Sequence, residues 1–263
     1  MKVMVAIRHT PILKGEISLT ADEKSVDTDG LKFRINEWDQ YALEESLRLQ
    51  SENKARVTAV CIGGKAAQEA LYHCLAAGVD EAVLIEDEAA WSLDSWSIAT
   101  LLARYAAPRG FDLLLAGVQS EDSGCAEVGG ILASMLGIAQ AAAVMKIRSL
   151  AEGKNVEVER ELDEGYADIR RLTLPALLTV QTGINLPRYV SSMRLRKTRK
   201  KDCITCIPAP QLYAKSGPPE PKKSVETVFL PMIGSNDLEL IEGTGPAHQA
   251  DRLVSRLGEM GVI

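Results

Sequence analysis

The stretch 117–130 reads GVQSEDSGCAEVGG, and its residue types suit the binding of an anion better than any other part of the chain. It leaves a short apolar run, residues 113–116, and enters a helical pattern over 126–136. Its glycines and small side chains leave backbone N–H groups accessible. Such groups at a helix N-terminus form a natural phosphate site. The positions concerned are Gly117, Gln119, Ser120, Asp122, Ser123, Gly124, Cys125, Ala126, Val128 and Gly129. An ordinary loop whose helix is capped by Asp122 or Ser123 fits the same residues equally well, so spacing leaves both readings open.

Asn36, Glu37, Trp38 and Asp39 open another helix, with Asn36 or Asp39 as its cap. Trp38 offers a flat surface for a flavin or adenine ring, although aromatic residues mostly serve burial, and composition alone favours the core reading. Groups for acid–base or nucleophilic work are harder to find. His9, His73 and His248 sit in unrelated contexts, and neither G-x-S-x-G nor H-E-x-x-H occurs. The chain lacks G-x-x-x-x-G-K-[ST], and no G-x-G-x-x-G follows the first apolar run. Cys203 and Cys206 form the single C-x-x-C, short of the four ligands of a structural zinc site. No metal site is expected. This pattern favours a carrier or binding subunit over a hydrolase or transferase.

Four apolar runs, residues 2–8, 56–62, 82–85 and 113–116, suit strands buried on both faces of a parallel sheet. Between them, residues 39–50, 65–77 and 95–107 carry apolar positions at helical spacing, with Gly78 placed to stop the second. Alternation of this kind implies right-handed β-α-β crossovers and a doubly wound, Rossmann-like α/β sheet. Ligands bind such sheets beyond the carboxyl ends of the strands, which points to residues 8–13, 62–65 and 117–129.

From residue 143 the texture changes. Segments 144–149, 155–161 and 168–174, separated by turns at 152–154 and 163–165, predict an antiparallel meander, and 176–181 a further buried strand. Beyond Lys201 the prolines at 208, 210, 218, 219 and 221 argue against another β-α-β unit. An α/β domain over 1–201 followed by an extended arm over 202–263, ending in an amphipathic helix at 245–260, is expected. There is no internal repeat.

The 263 residues suffice for a large core. A net charge of −6 disfavours a general nucleic-acid binder. Arg194, Arg196, Lys197, Arg199, Lys200 and Lys201 crowd together against that average, as on a solvated face or docking surface. Five cysteines, an odd number, argue against a disulfide framework. No run reaches the roughly 18 apolar residues of a membrane helix, and the N-terminal run is too short for a signal peptide. A cytoplasmic chain, not embedded in a membrane, is the expectation.

Residues 156–165 (VEVERELDEG), 171–180 (RLTLPALLTV) and 184–189 (INLPRY) closely resemble the signature of electron transfer flavoprotein beta subunits. The resemblance extends to residues 3–8, to Asp29-Gly30, Asn36 and Ala42-Leu43-Glu44, to 59–63 and to the 117–129 loop, and so covers residues 1–201. It implies a Rossmann-like subunit of a heterodimer, which carries electrons between acyl-CoA dehydrogenase-type flavoenzymes and an acceptor, in some cases a membrane-bound oxidoreductase. FAD would be shared with the alpha subunit, and the beta subunit would bury a second nucleotide, AMP or, in electron-bifurcating members, FAD.

Carried over by position, Ala6, Asn36, Glu37, Trp38, Asp39, Ile62 and the 117–129 loop would line the nucleotide site. Residues 187–201 resemble the loop that docks partner dehydrogenases. The apolar anchor of that loop aligns with Ser192, and Met193 or Leu195 would replace it. Val118 stands where relatives often have a basic residue and Glu121 where an apolar one is common, while Ala126 and Val128 favour FAD. A stand-alone adenine-nucleotide enzyme or a stress-type nucleotide sensor is the alternative. The first should show a Ser-Gly-Gly-type loop or a metal-binding carboxylate pair, and neither is present.

Overall fold

Strand β1 (Lys2–Ile7) sets the architecture, because its side chains alternate between two cores. Val3, Val5 and Ile7 pack with residues of α1 (Glu37–Asn53) and α2 (Gln68–Ala77), whereas Met4 packs with α3 (Ser95–Ala106) and α4 (Val128–Leu136). A strand apolar on both faces needs such a covered sheet. The structure is a computed structural model that describes residues 1–13, 17–151, 154–201, 203–213, 217–230 and 238–263.

Along the chain, β2 (His9–Pro11) and β3 (Phe33–Ile35) form a small antiparallel pair above the end of β1. The main sheet adds β4 (Arg56–Gly63), β5 (Glu81–Glu86), β6 (Leu113–Gly117), β7 (Ala139–Ala151), β8 (Asn155–Glu161), β9 (Ala167–Thr173), β10 (Ala176–Val180) and β11 (Ile204–Pro208). Its order is β11-β5-β4-β1-β6-β10-β7-β8-β9. All neighbours are parallel except β7–β8 and β8–β9. The predicted α/β class, parallel sheet and antiparallel excursion are all present. The chain steps from β1 towards β4 and β5, then returns to place β6 on the other side, so the carboxyl ends of β1 and β6 flank the topological switch point.

Several boundaries differ from the sequence-based expectation. Strand β7 begins at Ala139, not 144, since its alanines pair with β10 before the strand turns to β8. Pairing here overrides the weak β propensity of alanine. Helix α4 begins at Val128 because Ala126 adopts a left-handed φ of 54° that no helix continues. Within the presumed arm, β11 pairs in parallel with β5 and gives the sheet its outer edge. The final helix is α6 (Pro246–Glu259). Of the turn expected at 152–154, Glu152 and Gly153 lie outside the described residues. Among the described residues no helix is long and apolar enough to cross a membrane.

The segment after β10 is tied back onto α1. Arg188 donates from Nε and Nη2 to the two oxygens of Glu44, at 2.7 and 2.9 Å, and its backbone N–H reaches the same carboxylate at 3.1 Å. Asn185 Nδ2 donates to the Tyr41 carbonyl and to Glu45, each at 3.0 Å. Glu44 and Glu45 are buried, so these donors compensate carboxylates that would otherwise be costly. This arrangement orients α5 (Ser192–Arg199), which carries much of the basic cluster and packs on α2. Arg188→Ala strips Glu44 of its bidentate partner; since Arg188 itself is half exposed, the expected loss is about 1–3 kcal/mol, read as a lower urea midpoint at unchanged slope.

Candidate nucleotide-binding site

At the switch point one carboxylate joins the two diverging strands. Asp39, in the first turn of α1, accepts the backbone N–H of Arg8 at 2.8 Å through one oxygen and that of Gly117 at 2.9 Å through the other. The helix must come very close for this. A Cβ on Gly117 would lie 2.5 Å from Trp38 Cβ and 2.6 Å from Asp39 Oδ1, so only glycine fits. Burial pushes the Asp39 carboxyl up to about 7, against the opposing pull of the Arg8 and Gly117 N–H groups, the Asn36 side chain and the Arg8 charge.

Asn36 fixes the loop beyond Gly117. It is buried, donates from Nδ2 to the Gln119 carbonyl at 2.8 Å and accepts the Glu121 N–H at 3.0 Å. Glu121 in turn accepts the N–H of Glu37 at 3.1 Å and pairs with Arg34 at 2.9 Å. Asp122 binds the Arg8 guanidinium, with Nε at 2.9 Å; burial opposes its ionisation, yet Arg8 and Ser120 together hold its carboxyl below the usual range. Ser120 and Ser123 bridge hydroxyl to hydroxyl at 2.9 Å. The chain then turns through left-handed Gly124 and Ala126. Ser123, Gly124, Cys125 and Ala126 are exposed. Among the described residues no acceptor meets the N–H groups of Cys125, Ala126, Glu127 or Val128.

The carboxyl ends of the neighbouring strands carry apolar surface. Ala6 and Ile62, near the carboxyl ends of β1 and β4, are half-buried and belong with Val128 to the α3/α4 face. Gly129 anchors the start of α4 by close approach, since a Cβ there would meet Thr179 Cγ2 at 2.2 Å. An apolar floor with unpaired N–H groups along its edge can take the adenine end and phosphate of a nucleotide.

Of the residues singled out from the sequence, Glu37, Ser120, Asp122, Ser123 and Gly124 belong to the hydrogen-bonded loop and helix start just described, and the rest fall into three groups. Ala6, Ile62 and Val128 belong to one apolar face of the sheet, and Cys125 and Ala126 lie in the exposed part of the loop. Asn36, Asp39, Gly117, Gln119 and Gly129 fix the loop and the helix starts, with the polar atoms of Asn36 and Asp39 occupied by protein partners. Trp38 lies towards β10 and donates from Nε1 to Gln181 at 2.9 Å. Arg8 heads the 8–13 stretch to which the strand ends pointed; two further residues have no signal in local spacing, Arg34 and Trp91, over whose ring the Arg8 guanidinium lies at 5.4 Å. Cys61, close to Asp39, is a buried thiol pushed up to about 12 by burial, far from nucleophilic. Among the described residues no cluster of three or more His, Cys, Asp or Glu is placed to hold a metal.

Residues 24–210 match the electron transfer flavoprotein domain. The chain is 30% identical to the electron transfer flavoprotein subunit beta of Methylophilus methylotrophus over 98% of both chains. With the subunit beta of Bacillus subtilis the identity is 34%, over 98% of this chain and 97% of the relative. With that of Homo sapiens it is 32%, over 76% and 79%.

Asp39 gives the site a pH signature. Its pKa is higher folded than unfolded, so the folded chain binds more protons between pH about 4 and 7 and stability falls as pH rises through that window, flattening above it. Asp39→Asn puts a fixed neutral amide in place of a carboxyl that is protonated at the lower end of this window. The variant is expected to differ least from the parent at pH 4 and to lack this slope, as measured by urea unfolding from pH 4 to 8.

Proposed function

The chain belongs to the electron transfer flavoprotein family as a beta subunit, and from that premise we propose that it binds a nucleotide, AMP or FAD, in the β1/β6 crevice and pairs with an alpha subunit that shares FAD with it. The observation that carries this reading is the run of N–H groups over 125–128 that meet no acceptor among the described residues, in the loop leaving β6 at the switch point where parallel sheets bind ligands. The phosphate would take the N–H groups and the adenine the apolar floor.

When bound, the flavin supplies the uptake and release of electrons; this chain binds and orients. The carboxylates nearest the crevice fit that role. Asp39 uses both oxygens on backbone donors, and Asp122 and Glu121 are matched by Arg8 and Arg34, so none stands free as a catalytic base. Acidic groups left unpaired beside a phosphate would repel it.

Electron partners would dock at residues 187–201. There Tyr189 and Met193 are 87% and 82% exposed, and Leu186 just before them 87%, beside the cations of α5. Apolar side chains amid positive charge suit an acidic-rimmed partner surface, such as that of an acyl-CoA dehydrogenase-type flavoenzyme. Met193 is the most exposed apolar group next to Ser192 and takes the anchoring role, while Leu195 is half-buried.

The test is co-expression with an electron transfer flavoprotein alpha subunit, followed by a count of nucleotides per heterodimer. One FAD with one AMP, or two FAD, is the expected outcome and also tells the two classes apart. A stable homodimer that takes no alpha subunit, or a heterodimer without flavin, contradicts the proposal.

A further inference from the structure

The 117–129 loop carries three carboxylates, Glu121, Asp122 and Glu127, and no cation. Each is matched from outside: Glu121 by Arg34, Asp122 by Arg8 and Glu127 by Lys223. The first two cations belong to the β1 and β3 region behind the loop. Lys223 comes from the C-terminal arm, 96 residues beyond its partner.

Its placement does not depend on Glu127. Asp94 caps α3 by accepting the Ser97 N–H at 2.9 Å through one oxygen, and with the other takes the N–H groups of Lys222 and Lys223 at 2.6 and 3.0 Å. On one side of this clamp Arg104 donates to the Gly217 carbonyl at 2.8 Å; on the other the Val228 N–H reaches the Glu23 carbonyl at 2.7 Å. The arm is thus strapped across the start of α3. From there the Lys223 ammonium reaches the start of α4, where the N–H groups of 125–128 meet no acceptor among the described residues.

Glu127 immediately precedes α4, so its carboxylate is an anion at the positive end of a helix, matched by an ammonium. Phosphate has the same requirements and carries more charge. An exposed Lys–Glu pair contributes little, whereas a phosphate that gathers an ammonium and several N–H groups forms the stronger class of charge-assisted hydrogen bond. Lysine, a mobile point charge with three donors, can make that exchange. We propose that Lys223 is the phosphate-binding cation of this site, exchanging Glu127 for the phosphate of the bound nucleotide, so that the arm supplies the positive charge the loop lacks. The inference rests on the nucleotide-binding reading above.

Two substitutions that break the same ion pair separate this role from a structural one. In the heterodimer, freed of its second nucleotide, Lys223→Ala is expected to weaken AMP by about tenfold or more and to leave adenosine, which has no phosphate, unchanged. Glu127→Gln frees the ammonium and removes a competing anion, so AMP should bind as tightly or more tightly. Lys223→Arg should retain most of the affinity. If Lys223 only pins the arm, the Ala and Gln variants weaken AMP and adenosine together, and the inference falls. Wild-type affinity for AMP in Lys223→Ala overturns the inference alone. A wild-type heterodimer that takes neither AMP nor FAD in this crevice overturns the nucleotide reading as well.

Discussion

Everything at the switch point hangs on the Asp39 carboxylate. Two parallel strands whose connections leave for opposite faces expose N–H groups at their ends, and here both ends find one acceptor, at 2.8 and 2.9 Å. Burial makes ionisation of that carboxyl costly, and the two N–H groups with the Arg8 charge offset part of the cost. The arrangement imposes its own sequence requirement. A helix that delivers Asp39 to Gly117 leaves no room for a side chain there, so the acid and the glycine are one device in two places.

Electrostatics then shapes the loop. Glu121, Asp122 and Glu127 would repel a phosphate if left alone. Arg34 and Arg8 remove that obstacle for Glu121 and Asp122, Lys223 brings from a third segment a charge that offsets Glu127, and among the described residues the backbone donors of 125–128 are left without a protein partner. The acidic loop and the anion-binding role are therefore compatible. Val118, where a basic residue would be the simpler solution, reads differently once the cations are seen to arrive from outside.

Periodicity made the parallel core legible, because strands buried on both faces leave continuous apolar runs and the helices between them keep a polar face. The loop was legible too, through its glycines, but not its geometry: left-handed Ala126 shortens α4, and nothing in its type announces that. What periodicity cannot show is pairing at a distance. Glu44 and Arg188 each stand out in the resemblance to the family, yet only the fold reveals that the two motifs bind each other. The same holds for Arg8 with Asp122, 114 residues apart. Strand β11 escaped because proline at 208 ends it; at the sheet's edge a proline costs no ladder hydrogen bond that the interior would need.

The arm is the clearest instance of composition and structure parting. Its prolines read as an extended arm that cannot form another β-α-β unit. Extended chain, however, keeps its own N–H groups available. At Lys222 and Lys223 two successive donors close on one Asp94 oxygen, a contact that a helix interior could not make because its donors are already spent. Asp94 thereby holds both the first turn of α3 and the arm. The proline-rich character that excludes regular structure is what lets residues 217–230 lie across the helix starts and bring a lysine to a loop that has no cation of its own.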